Sequence, residues 1–506
     1  MMKTLMVAAG AAAILLPVPV LAQAMDHSMH GMKMPAPPAA KPKPKPKPAA
    51  KKAKPAARAV PAPTRSQTLI APPVVFIPPI QAPAPAPVPA ETIPPQAAPV
   101  DHSTMDRGAM NHAPDSGGMQ GGMMMGMGGT DYAEGSGTSR LPAREGMMRG
   151  VHVMTGDWML MAHGYAWGSY TDQGGPRGAN EAFVQSMAMV TAERPLGDGL
   201  HLKLQTMLSL EPLMGARGYP NLLATGEVAN GQALVDRQHP HDLFMELSGR
   251  IDVDVDADSS VFLYGGPVGE PALGPSAFMH RKSAQYQPLA PITHHWFDST
   301  HITYGVITAG YSAPKFQIEA SAFRGREPDE RRWNIETPRL DSWSVRGTWT
   351  PSPSWALQVS HGRLKEPEEL EPGVNEQRTT ASVHYATGPL TTTLAFSAKN
   401  KNPGRVLTAW LGEVNYDLDT HHSVFGRFES VANDELFRDP TSPLHDRKFR
   451  VGKIEGGYAY RMPIAGPLGL AVGGTVGTYA IPGALKEAYG KMPVSFTLFA
   501  KLALGN

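Results

Sequence analysis

"LHLKLQTMLSL" (residues 200–210) and "LFMELSGRIDVDV" (residues 243–255) read in twos. In the first, Leu200, Leu202, Leu204, Leu208 and Leu210 fall on one face, with His201, Lys203, Gln205 and Ser209 on the other. In the second, Leu243, Met245, Leu247, Ile251 and Val253 oppose Glu246, Ser248, Arg250, Asp252 and Asp254. Successive side chains of a strand point to opposite faces, so each stretch is a strand with one apolar and one polar side.

From about Gly156 the same texture recurs in about sixteen segments: 156–170, 182–194, 199–210, 242–254, 259–265, 301–311, 314–323, 341–349, 354–363, 377–387, 389–398, 406–416, 421–431, 449–461, 467–480 and 493–504. Their connections alternate in length. Short turns such as "PLGDG" (195–199), "DADS" (255–258), "PSPS" (351–354) and "DLDT" (417–420) separate long loops at 171–181, 211–241, 266–300, 324–340, 364–376, 399–405, 432–448 and 481–492. Short turns on one rim and long loops on the other is the plan of a transmembrane antiparallel β-barrel, with the short turns periplasmic. The fold class expected is therefore all-β, a barrel of about sixteen strands over 151–506. Closure leaves no edge to protect, and a barrel of that strand number leaves an aqueous interior. Trp349 and Trp355 flank one short turn, where an interfacial aromatic belt sits.

Ahead of the barrel the chain changes character. "MMKTLMVAAGAAAILLPVPVLAQA" has a lysine, an apolar stretch and an A-x-A end, which predicts a signal peptide over 1–24. The 506 residues include no cysteine, which excludes a disulfide, a thiolate metal site and a lipoprotein anchor. Residues 35–100 are dominated by Pro, Ala and Lys and read as a disordered, polyproline-like linker. Nine basic and no acidic residues lie between Lys41 and Arg65, yet the chain's net charge is only +1. With no aromatic interleaved, that run is a spacer rather than a nucleic-acid surface. The linker separates two Met/His-rich segments, 25–34 ("MDHSMHGMKM") and 101–150 ("DHSTMDRGAMNH", then "GGMQGGMMMGMGG"), the second flexible through its glycines.

Met25, His27, Met29, His30, Met32 and Met34, with His102, Met105, Met110 and His112, offer thioethers and imidazoles together. That mixture favours Cu(I), imidazole also takes Cu(II) and Zn(II), and silver stays open. A flexible ligand set can converge on one ion, with no site preformed. At these residues the chain resembles the copper-resistance protein B family of bacterial outer-membrane proteins, which join an exported Met/His-rich segment to a C-terminal barrel. The resemblance implies copper as the bound ion, a periplasmic tail, a role in copper tolerance or efflux, outer-membrane lipid and metal ions as partners, and contacts with periplasmic copper-handling proteins.

A second constellation lies in neighbouring long loops, "DRQHPHDLF" (236–244), "GEPALGPSAFMHR" (269–281) and "PITHHWFDSTHIT" (291–303). His239, His241, His280, His294, His295 and His301 are candidate metal ligands there, with Asp242 and Asp298 as their hydrogen-bond partners. The competing reading is histidines that only hydrogen-bond within packed loops. The block 236–343 looks like a stretch in uncharacterised bacterial exported proteins. The motifs H-E-x-x-H and G-x-S-x-G and a phosphate-binding glycine loop are missing from the sequence, and no enzyme is expected. The alternatives to a copper-handling barrel are a general porin with an incidental tail, and a barrel-wall hydrolase using His163, His361 or His384 with Ser360 or Ser382.

Overall fold

The computed structural model describes residues 132–146 and 150–505. Among them, sixteen antiparallel strands close a barrel. In chain order these are β1 (Trp158–Gln173), β2 (Asn180–Gly197), β3 (Leu200–Leu208), β4 (Phe244–Asp254), β5 (Ser260–Gly269), β6 (Thr303–Ser312), β7 (Phe316–Phe323) and β8 (Ser342–Ser352). They continue as β9 (Trp355–Leu364), β10 (Asn375–Thr387), β11 (Leu390–Asn402), β12 (Val406–Asp417), β13 (His422–Asn433), β14 (Phe449–Ala465), β15 (Leu468–Ala480) and β16 (Val494–Leu504). Each anticipated segment is a strand, and β16 closes the ring on β1, running from Ser495 opposite Gln173 to Leu504 opposite Gly164. A short strand, Val151–Thr155, folds back on the start of β1.

Alternation decides which face each residue occupies. On β8, Ser344, Arg346 and Thr348 are buried, whereas Trp343, Val345 and Trp349 are exposed. The exposed set around the wall (Val190, Leu204, Ile251, Leu263, Ile318, Val359, Leu394 and Ile454 among them) is apolar, which suits hydrocarbon and not water. The fold is therefore a membrane-spanning barrel of the outer-membrane type. Trp349 and Trp355 are exposed at the short-turn rim, as expected. Toward the other rim, Tyr170 and Phe496 pair with ring centroids 6.1 Å apart.

The interior differs from the expected aqueous channel. Lumen-facing Arg346, Arg378 and Glu429 are 1%, 0% and 0% exposed, because the long loops fold inward and pack on them. Arg281, on the loop 270–302, meets Glu413 of β12 at 2.8 Å, and Glu368, on the loop 365–374, accepts from Lys399 of β11 at 2.8 Å. A wall lined with charges cannot be covered by apolar loops. It needs partners, and the loops supply them.

The chain before the barrel also contributes. Residues 132–146 were expected in the flexible segment, but they sit against the lumen wall. Tyr132–Glu134 and Arg140–Pro142 form a small ribbon. The Arg140 guanidinium donates to Gln317 Oε1 (3.1 Å) and to the Ala313 carbonyl (2.8 Å). Ser136 N donates to Ser276 Oγ at 2.9 Å, linking this segment to the loop 270–302.

Candidate functional site

The inward loops gather histidines. His239 and His241 follow a short ribbon, in which Arg237 and Gln238 pair with Pro220 and Tyr219. Pro240 between them fixes φ and keeps the chain extended. His294 and His295 open a single helical turn, α1 (His294–Phe297), and His301 lies just beyond it. Ring centroids run as a chain: His295–His239 5.8 Å, His239–His294 6.0 Å, His294–His301 5.1 Å and His301–His241 5.3 Å. All five are buried. His280, expected among them, stands apart. It lines a separate cavity with His163 and Met279.

Each ring of the five is oriented through Nδ1 by an oxygen. His294 meets Asp298 Oδ1 at 2.8 Å, His241 meets Glu211 Oε2 at 2.9 Å, and His295 meets Glu327 Oε2 at 3.1 Å. His239 reaches the Pro240 carbonyl at 3.0 Å and His301 the Asp298 carbonyl at 2.6 Å. Asp298 is itself fixed by the Phe278 amide (3.0 Å) and Arg281 (3.3 Å). The expected role of Asp298 as a partner of the cluster is seen directly. Asp242 serves differently, bound to Arg332 (3.1 Å) and to the Tyr304 hydroxyl (3.0 Å). Arg332 also holds Glu227 at 2.7 Å, and Glu227 Oε1 lies 3.2 Å from His239 Nε2 without an aligned hydrogen bond. Nε2 of His239 and of His301 has no hydrogen-bond partner among the described residues.

The geometry gives two overlapping donor sets. One ring nitrogen each from His239, His294 and His295 lie within 4.8 Å of one another, and so do donor atoms of Glu227, His295 and Glu327. Carboxylate- or carbonyl-held Nδ1 with a free Nε2 is the arrangement of a metal-binding imidazole. Burial, with Arg332 and neighbouring rings adding to it, holds His239 well below the usual imidazole range, and burial does the same for His301. Burial also lowers His294 and His295, outweighing Asp298 and Glu227 respectively. Burial opposes charge on His241 too, but the Glu211 carboxylate overcomes it and raises that group. Four of the five rings are thereby kept neutral near pH 7, the form that ligates. Glu227 and Glu327 are raised by burial despite Arg332 and Lys399.

Two sets of sequence candidates do not join this site. Met25, His27, Met29, His30, Met32, Met34, His102, Met105, Met110 and His112 lie outside the described residues. For the hydrolase reading, Ser382 Oγ comes within 3.3 Å of His384 Nε2, but Nδ1 of that ring meets a threonine hydroxyl, Thr393 Oγ1 at 3.0 Å, and not a carboxylate. His361 faces outward onto Trp343, while its neighbour Ser360 faces the lumen.

Sequence reading missed Glu211, Glu227 and Glu327, whose loops carry no motif. It also missed methionines inside the barrel. "VQSMAMVT" (184–191) alternates Gln185, Met187, Met189 and Thr191 on the lumen side with outward Val184 and Val190.

No family model matches the chain, and no curated protein matches it. The resemblance to copper-resistance protein B therefore rests on the Met/His segments. Among solved structures the chain is similar to outer-membrane proteins and porins. OmpF of Salmonella typhi, in a complex with daunomycin, is 8% identical with a TM-score of 0.47, covering 70% of this chain and 100% of that one. OprB of Pseudomonas putida is 10% identical with a TM-score of 0.42 (68% and 94% covered). An anion-selective porin from Comamonas acidovorans is 10% identical with a TM-score of 0.41 (69% and 100%).

Proposed function

We propose that this protein is a porin-like outer-membrane barrel that holds a transition-metal ion, copper or zinc, at a histidine site inside its lumen. The porin-like architecture is the broader part of this reading, and the barrel with its apolar exterior supports it. The metal part rests on one observation: ring nitrogens of His239, His294 and His295 within 4.8 Å of one another, each imidazole fixed through Nδ1 by an oxygen. Imidazole donors of this kind suit copper and zinc over magnesium or calcium. The test is a Zn(II) and Cu(II) titration of the refolded full chain against the variant H239A/H294A/H295A. Loss of one tight equivalent is expected. Equal stoichiometry and affinity in the two proteins would exclude a site here.

The Met/His segments form a second, separate element of the proposal, a copper-capturing tail serving tolerance or efflux. A peptide of residues 25–34 should bind Cu(I) more tightly than its Met→Leu, His→Ala counterpart. A simple porin with an incidental tail is the competing reading, and it requires unchanged copper tolerance after deletion of 25–131.

A further inference from the structure

The lumen wall mixes polar and charged side chains with several apolar clusters, and one of these is rich in methionine. Met187 and Met189 on β2, Met207 on β3 and Met245 on β4 are 1–3% exposed and pack into one cluster. Met161 and Met279 pack against its edge. Register puts them in a row. His163 on β1 pairs with Met189, and Met189 pairs with Met207. Met245 comes next, at a bulge between Phe244 and Glu246 that turns both it and Glu246 to the inside. Cross-strand partners on one face have Cβ atoms roughly 5 Å apart, so unbranched thioethers in such a row reach one another.

Methionine commonly fills gaps, and a packing role alone would explain one or two of these. Here four methionines share one cluster with Val268, Ile302 and Tyr304, beside the polar inward positions Gln185, Thr191, Gln205 and Glu246. A second observation sits beside it. Loop residue His280 carries an Nε2 with no hydrogen-bond partner among the described residues. With Met279 and His163 it lines a cavity of about 150 Å³ whose walls include Gly469 and Leu504, at the short-turn end of β15 and at the end of β16. On its other side the methionine cluster packs on Ile302, the residue after His301. Thioethers are soft donors and select soft, low-charge ions.

We propose that Met187, Met189, Met207 and Met245, together with an imidazole from His163 or His280, form a lumen site for a soft monovalent ion of the Cu(I) and Ag(I) class. It is distinct from the site of His239, His294 and His295 and deepens the metal-binding reading given above, although its own donors do not depend on that site.

The probe is Ag(I), added as nitrate to the refolded full chain carrying ¹³C-methyl methionine. The readout is the methyl resonances, assigned with single Met→Leu variants. Leucine nearly conserves volume, so these variants should fold, and heat-modifiable gel mobility checks that they do. The resonances of Met187, Met189 and Met207 are expected to shift in the native protein and in H239A/H294A. The shift of the remaining cluster methyl, Met245, is expected to vanish in M187L/M189L/M207L. Resonances that stay fixed while the tail methionines respond would overturn the proposal, leaving these side chains as packing alone. So would a shift that H239A/H294A abolishes, because the ion would then sit in the histidine site. Failure of Zn(II) and Cu(II) to bind would remove the histidine reading without moving these resonances.

Discussion

At the residue scale the histidine site depends on what stands behind each ring. Asp298 bridges His294 and Arg281, and its contacts with these two side chains hold its carboxyl below the usual range although burial pushes the other way. Asp298→Asn keeps the size but removes the charge that orients His294. Transition-metal affinity should fall about 10- to 100-fold, the usual cost of losing such a partner, as measured by chelator competition. Gly226 is a second sensitive point. Its φ is +110°, and a Cβ there would lie 2.5 Å from His295 Cγ. Gly226→Ala should displace that ring and cost on the order of 1–3 kcal/mol, as overpacking does, visible as a lower melting temperature. Glu270 provides a test by pH. Burial, only partly offset by Arg346, pushes its carboxyl up to about 8 from an ordinary value of 4.5. The folded protein therefore holds a proton that the unfolded chain releases, and stability falls as pH rises from about 5 to 8. Glu270→Gln should flatten that slope in melting experiments across this window.

At the element scale, the inward position of residues 132–146 follows from Arg140. Its guanidinium is buried and reaches the wall at the turn between β6 and β7, through Ser312, Ala313 and Gln317. A charged donor with no water must find acceptors, and the lumen supplies them. Arg140→Ala should weaken the attachment by about 1.5–3 kcal/mol, the worth of one charge-assisted bond. Proteolysis within 132–146 of the folded barrel reports it, and unchanged protection would show that the ribbon holds without this side chain. The loops obey the same logic. Arg281 carries the loop 270–302 to Glu413 and also secures Asp298, so loop docking and histidine orientation are one structural event.

At the scale of the whole molecule, a closed ring of sixteen strands predicts faster gel migration before heating than after it. The filled lumen predicts conductance far below that of an open porin of equal strand number, measured on single molecules in planar bilayers. A large, steady conductance would show that the loops do not occupy the passage in a membrane.

Alternation in twos and alternation in loop length were enough to define the strands, their order and their lipid-facing side, because both follow from local backbone geometry and from the solvent outside. The filling of the lumen was not readable in this way, since it depends on which buried charge on a loop meets which charge on the wall across more than a hundred residues, as Arg281 meets Glu413. For the same reason the sequence offered six loop histidines as equals, and only the folded loops brought five together and left His280 aside. Met245 illustrates the limit most simply. Its place in the alternation assigns it to the lipid face, and a single bulge on β4, set by pairing with β3, turns it inward.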